Sequence, residues 1–394
     1  MAFRVPSSVA SKAGIFQNFY RLVFNPLSSI TRSISVDSRY FIQGSAEDIQ
    51  LSRPVQLAGR KYLPGSFASG FPEQLSSPKE GFPLVLKARN NGELDRKGIQ
   101  FWSECFKEQL PGLYENFRNG GAPVAVLIRG LPIKTSNDSS RFIEGLGFEF
   151  FSYKGGSGIR KQVDDFVLSG ALDAPEYSVE LHNDMSYSTV FPTKFVITCL
   201  KKSKFGGETG ICSGRELTAN LDADLKAKFE RKGIRNLRCF VDKSEGTDCS
   251  WQRVLLTEDK NEAEKFLVAN GYTFKWEGKT LVYWSDASPT ITYPLTEEKL
   301  WFNQVHSCHA SYFKAMPMYE GSDLADEKYP AHTIHADGDI IDPDDLDKVR
   351  RTGWSTAVGV SLEESDVLFL DNLAVLHSRL SFNGERVVTT ANLY

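Results

Sequence analysis

Leu181-His182-Asn183-Asp184-Met185-Ser186-Tyr187 closes a run, Val179 to Asp184, that reads as a strand. Residues i and i+2 of a strand share a face, so one imidazole and one carboxylate can reach one metal ion. A lone His-x-Asp decides little, because a chain with six histidines and 50 acidic residues contains one by chance in roughly a third of cases. Its support lies near the C-terminal end. There Asp366 to Leu370, Ala374 to His377 and Arg386 to Leu393 read as short strands, separated by turns at Asp371-Asn372 and Asn383-Gly384.

His377 can complete a set of two histidines and one carboxylate on one face of an octahedral iron, which leaves three positions open. Two suit the keto and carboxylate oxygens of an α-keto acid, and the third admits O2. The far carboxylate of such a cosubstrate needs a cation and a hydroxyl. Arg386, nine positions after His377, offers a bidentate guanidinium that lysine could not match, and Thr209 offers the hydroxyl.

Working outward, Lys194 to Leu200 forms the strand after the His-x-Asp run, beyond Pro192. Upstream, Phe82 to Leu86 and Val124 to Ile128 read as strands, and Ile99, Trp102, Phe106, Leu110 and Leu113 recur at helical spacing. Downstream, Asn220 is expected to cap a helix that ends at Lys232-Gly233, and Thr257 a second one ending at Asn270-Gly271. Tyr272 to Trp276 and Thr280 to Trp284 then make a hairpin. This α/β stretch, about 216–300, reads as an insertion. Asp342-Pro343 starts a charged helix to about Arg351. Residues 37–81, rich in Gly, Ser and Pro, read as a loosely structured lead-in.

The first 36 residues contain no acid, while Arg4, Lys12, Arg21 and Arg32 recur among serines and Phe16, Phe19 and Leu22. That is the composition of a mitochondrial transit peptide; a plain disordered leader on a cytoplasmic protein is the simpler alternative. A formal charge of −4 without a dense Lys/Arg cluster argues against nucleic acid. No apolar stretch approaches the ~20 residues of a membrane span. Six scattered cysteines without a CxxC pair argue against structural zinc and a disulfide framework. The expected partner is a small-molecule substrate; oligomeric state leaves no sequence signature.

Several segments together resemble the TauD/TfdA-type, clavaminate-synthase-like dioxygenases over most of the chain after about Phe82. They are Leu127-Ile-Arg-Gly130, Tyr153-Lys-Gly-Gly156 with Arg160, Leu181 to Tyr187, Phe205-Gly-Gly-Glu-Thr209 with Arg215, Leu300-Trp-Phe-Asn-Gln304, and Asp371-Asn372 through His377-Ser-Arg379 to Arg386. The resemblance implies a mainly β chain with flanking helices, in which a double-stranded β-helix (a cupin-like jelly-roll) spans 82–394 around the inserted region. It implies that His182, Asp184 and His377 ligate Fe(II), that Thr209 and Arg386 bind 2-oxoglutarate, and that O2 oxidises a small organic substrate with release of succinate and CO2. Tyr187 and Asn303 are implied to face that substrate. Asp184 stands where many relatives carry Glu, and a carboxylate there argues against halogenation. The family often places a second arginine four residues after the first; here that residue is Thr390, so a strongly anionic substrate is less expected.

Plainer readings compete at several positions. His306 and His309 suggest a second metal but read as pocket or packing residues, and His332 and His335, beside Asp337 and Asp339, read as solvated surface. Gly155-Gly156-Ser157-Gly158 lacks the lysine of a phosphate loop and reads as a flexible loop beside the site. A non-catalytic jelly-roll that binds a metabolite or partner would be favoured by loss of an iron ligand or of Arg386, and none is lost. A zinc hydrolase on the same His/Asp/His set would lack an obvious general base and leave Arg386 and Thr209 unexplained.

Overall fold

The computed structural model describes residues 37–89, 94–156, 158, 160–246 and 249–394, so the acid-free leader lies outside the described residues. Short β-branched runs pair into an eight-stranded sheet. Its order is Phe41–Gln43, Leu84–Ala88, Ala125–Arg129, Val367–Asp371, Lys194–Lys201, Val387–Leu393, Val167–Ser169 and Gln162–Asp164. A four-stranded sheet follows the order Val358–Val360, Thr209–Ser213, Val375–Arg379 and Val179–His182.

The period of two along each strand decides what packs where. Leu127, Phe195, Ile197, Leu368 and Leu370 of the large sheet share a buried cluster with Ile211, Val360 and Val375 of the small one. Their neighbours Val126, Ile128, Val196 and Phe369 turn the other way, onto Trp102, Phe106 and Phe142 of flanking helices. Two facing sheets with a shared interior and helices outside make the jelly-roll core. The helix expected from Ile99 to Leu113 is in fact two, Ile99–Lys107 and Leu110–Arg118, with Pro111 in the first turn of the second. Proline lacks the N–H an interior position must donate but is accommodated in a first turn.

Residues 37–81 have few regular elements but are packed. Val55, Leu57, Leu63, Phe71 and Leu75 are buried with Leu181, Cys212 and Leu376, the residues of the small sheet that face away from its interior. In the stretch beyond Ser213, Thr273–Glu277, Thr280–Ala287, Ile234–Phe240 and Ala331–Ile334 form a separate four-stranded sheet. Two caps differ from expectation. Asp222 accepts from Leu225 N and starts Ala223–Lys232, because the Asn220 amide is already bonded to the Glu216 carbonyl of the preceding helix. Asp259, rather than Thr257, caps Lys260–Ala269. The helix after Asp342 runs on to Thr356, where Gly353 and Trp354 are buried. His332 and His335 are not solvated. Both are buried, His332 packing on the His309 ring and His335 on that of Phe229, while Asp337 and Asp339 bind Lys232 at the surface. Among the described residues no helix is long and apolar enough to cross a membrane.

Burial pushes the His306 and His309 imidazoles down to about 3. Unfolded, such groups titrate near pH ~6.5, so below that pH the unfolded chain binds more protons than the folded one. Their folded pKa is depressed below the unfolded value, so the stability contributed by the neutral rings is complete above about 6.5 and is lost as the pH falls toward 3. The urea midpoint is therefore expected to be lower at about pH 5 than at about pH 7.5, and His306→Gln to narrow the difference. A midpoint that does not move between these pH values would contradict the burial argument.

Candidate metal and cosubstrate site

Antiparallel register sets His377 directly opposite His182, with ring centroids 4.3 Å apart. His182 is the last residue of its strand, and Asp184 lies in the turn that follows, where Met185 has φ 55°. Asp184 Oδ1 comes within 3.9 Å of His182 Nε2. The Glu180 carbonyl, 2.8 Å from His182 Nδ1, can only accept, so Nδ1 carries the proton and Nε2 keeps its lone pair. The His377 ring stacks on Phe195 at 4.2 Å. Burial pulls both imidazoles below their ordinary pKa, His377 furthest, with His182 and Arg160 adding to the effect; at His182 the Asp184 carboxylate opposes it. The rings are thus neutral, the form that ligates a metal.

Asp184 is held by Asn372, which the sequence marked as part of a turn and of a family segment without a role. Asn372 Oδ1 accepts Asp184 N at 2.7 Å, and its Nδ2 donates to the carbonyls of Asp184 and Pro192 at 3.0 and 2.8 Å. Asn183 returns the tie through Nδ2 to the Asn372 carbonyl, and Gln304 Nε2 donates to the Asn183 carbonyl, each at 2.7 Å. A side-chain amide copies the donor and acceptor of a missing strand neighbour, so the carboxylate has a fixed origin although its backbone has left the sheet.

His182, Asp184, His377, Thr209, Arg386 and Tyr187 line one cavity, of about 1150 Å³ of void including its open mouth. Thr209 Oγ1 is buried there without a partner among the described residues. Burial, with Arg379 nearby, pushes the Arg386 guanidinium down to about 10, and no carboxylate among the described residues lies within ion-pair distance of it. A half-buried cation without a counter-charge and an orphan hydroxyl in the same cavity are costly unless a ligand pairs with both. Both fit a carboxylate.

Asn303 is not part of this cavity, contrary to the sequence expectation. Its Nδ2 donates to the Pro289 carbonyl and its Oδ1 accepts Val305 N, so it shapes backbone, and the neighbouring Gln304 reaches the cavity instead. Arg160, beyond the glycine-rich segment, does reach it, and its guanidinium pairs with Asp184. A second grouping brings His309, Asp326 and His332 within 4.8 Å of one another. Its Nδ1 atoms accept the backbone N–H groups of Ser311 and Ala310, and Lys314 binds Asp326 at 2.5 Å. Those contacts make it a helix-start cap, with the lone pairs a metal would need already engaged.

Residues 123–391 match the model of the Taurine catabolism dioxygenase TauD, TfdA family. The chain belongs to the TauD/TfdA family. As a member it is an Fe(II)- and 2-oxoglutarate-dependent dioxygenase with a jelly-roll core. It is similar to the dapdiamide synthesis protein DdaC of Enterobacter agglomerans, with 29% identity over 270 residues, covering 68% of this chain and 81% of that one. A clavaminate synthase-like protein of Arabidopsis thaliana is 26% identical over 329 residues, covering 80% and 95%. Among solved structures, PvcB of Pseudomonas aeruginosa is 15% identical, with 83% of this chain and 92% of that one covered at a TM-score of 0.43.

If Asn372 fixes the Asp184 backbone, Asn372→Ala should weaken Fe(II) binding about 10- to 100-fold, the range for loss of a ligand's supporting hydrogen bonds. Anaerobic calorimetry on a variant with unchanged far-ultraviolet circular dichroism measures this. Unaltered affinity would remove Asn372 from the account.

Proposed function

We propose that His182, Asp184 and His377 hold the iron, that Arg386 and Thr209 hold the far carboxylate of 2-oxoglutarate, and that the enzyme hydroxylates a small organic substrate. The observation that carries this reading is the coincidence, in one cavity, of the His/Asp/His cluster with a half-buried arginine that no carboxylate among the described residues pairs with and a buried hydroxyl that has no partner among them. Bound iron supplies the activation of O2, coupled to oxidation of 2-oxoglutarate to succinate and CO2. The chain's own residues do the rest. Arg386 and Thr209 fix one end of the dicarboxylate, which orients its keto acid end toward the neutral imidazoles. Phe195 and Val388 line the cavity beside them and keep water from the buried groups. Tyr187, Tyr153 and Tyr312 give the substrate side of the cavity an aromatic wall. The carboxylate of Asp184 supports hydroxyl return over halogenation, and the intact set of groups supports catalysis over a purely binding role.

The acid-free, arginine-bearing run 1–36 supports delivery to the mitochondrion. Fusing residues 1–40 to a fluorescent protein tests it, and diffuse cytoplasmic signal would count against it.

Removing one partner of a buried charge pair costs roughly 2–5 kcal/mol. Arg386→Ala is therefore expected to weaken 2-oxoglutarate binding by at least about 30-fold while Fe(II) affinity changes by less than about threefold. Equal loss of both would detach Arg386 from the cosubstrate.

A further inference from the structure

Arg160 is buried in the cavity wall with 7% of its side chain exposed. Its Nη2 and Nη1 meet Asp184 Oδ1 and Oδ2 at 3.2 and 3.3 Å, and Nη1 also donates to Thr390 Oγ1 at 3.4 Å. The guanidinium lies 4.7 Å from the Tyr153 ring centroid and 5.3 Å from that of Phe195. Its Nε is buried and has no partner among the described residues. Thr390 is the position where a second arginine would be expected from the family resemblance. The structure brings a guanidinium to that threonine by another route, from the segment before Val167–Ser169.

The charges decide what this cation is for. Asp184 balances Arg160 fully only while no metal shares its charge. With a divalent metal held by the His/Asp/His set, Asp184 would keep lone pairs for Nη1 and Nη2 but share its charge with the metal, and Nε would still have no acceptor. The two charges of 2-oxoglutarate match the two of the metal. Asp184 then matches one of Arg160 and Arg386, and the other is left over. Asp173 and Arg379 also line the cavity and offset each other, Arg379 being further tied to the carbonyls of Asp173, Ala174 and Tyr177. Arg238, 3.9 Å from the Tyr187 ring centroid, adds positive charge behind the wall. An unmatched buried cation is unfavourable, and an anion satisfies it.

Resting on the functional reading above, we propose that Arg160 is a substrate-binding residue, and that the substrate is a small carboxylic acid with an apolar or aromatic body. The Nε–Nη2 edge of the guanidinium receives the carboxylate in a two-bond fork while Nη1 steadies Asp184, and the tyrosines of the wall cover the body. Arginine suits this double duty because its donors lie in one fixed plane; lysine offers a single point charge. This reverses the expectation drawn from Thr390 alone.

The test uses the full chain loaded with Zn(II) and 2-oxoglutarate, and a set of fluorinated aryl and alkyl carboxylic acids, each matched with its primary amide, followed by fluorine NMR. At least one acid is expected to bind about 10- to 100-fold more tightly than its amide, the worth of a charge-assisted pair. Arg160→Gln abolishes that preference, and Arg160→Lys, which keeps the charge but loses the fork, retains part of it. If no acid is preferred over its amide in the wild type, or the preference survives in Arg160→Gln, the proposal is overturned. If Arg160→Gln weakens only zinc binding and leaves the preference intact, Arg160 is a positioning residue for Asp184 and the proposal again fails. Zinc and 2-oxoglutarate affinities of the wild type, measured by calorimetry, report on the functional reading separately.

Discussion

Everything at the site depends on one short antiparallel pairing, that of Val179–His182 with Val375–Arg379, which sets His182 opposite His377. Side chains alternate across a strand, so a slip of one residue would turn one imidazole out of the interior and a leucine into it. The flanking pattern forbids the slip. Leu181 and Leu376, the residues next to the two histidines, are buried in the outer cluster with Trp354 and Leu346, and that burial fixes which face the histidines take. The hydrophobic pattern of the small sheet thus specifies metal geometry, although none of its apolar residues is a ligand.

Around that register the protein keeps polar groups that its own chain does not satisfy. Thr209 Oγ1, Arg160 Nε and His377 Nδ1 are buried without partners among the described residues. In a packed interior such groups each cost on the order of 1–3 kcal/mol. Asn372, by contrast, is engaged through both its Oδ1 and its Nδ2 around Asp184, and Asn183 Nδ2 donates to the Asn372 carbonyl while its Oδ1 stays buried without a partner among the described residues. Asn372, which holds the Asp184 backbone, is satisfied by protein, whereas Thr209 Oγ1 and Arg160 Nε, which line the cavity, are left open. Metal and cosubstrate binding should therefore stabilise the fold by pairing what folding alone leaves exposed to an apolar wall.

The parts of this arrangement legible in the sequence were those with local signatures. Alternation marked the central strands, Asp342-Pro343 marked a helix start, and the His-x-Asp run with His377 and Arg386 pointed to the groups that now share a cavity. The rest depends on contacts between residues far apart in the chain. Asn372 meets Asp184 across 188 positions, and nothing in an Asp-Asn turn distinguishes a clamp from a bend. Arg160 follows a glycine-rich run that reads as loop, and Thr390, taken alone, suggested a less cationic pocket than the fold builds. His332 looked exposed because the acids that follow it are, whereas its ring packs on that of His309. Asn303 failed for the opposite reason: a family segment was legible, but within it Gln304, not Asn303, turns to the cavity.

On this reading one cavity assembles iron and 2-oxoglutarate on His182, Asp184, His377, Thr209 and Arg386. Anaerobic titration of the protein with Fe(II) and then 2-oxoglutarate would reveal that assembly through the weak visible charge-transfer absorption of an iron-chelated keto acid. The band is expected to form in the wild type and to be absent in His182→Ala. A wild-type protein that binds iron but develops no band on saturation with 2-oxoglutarate would contradict it.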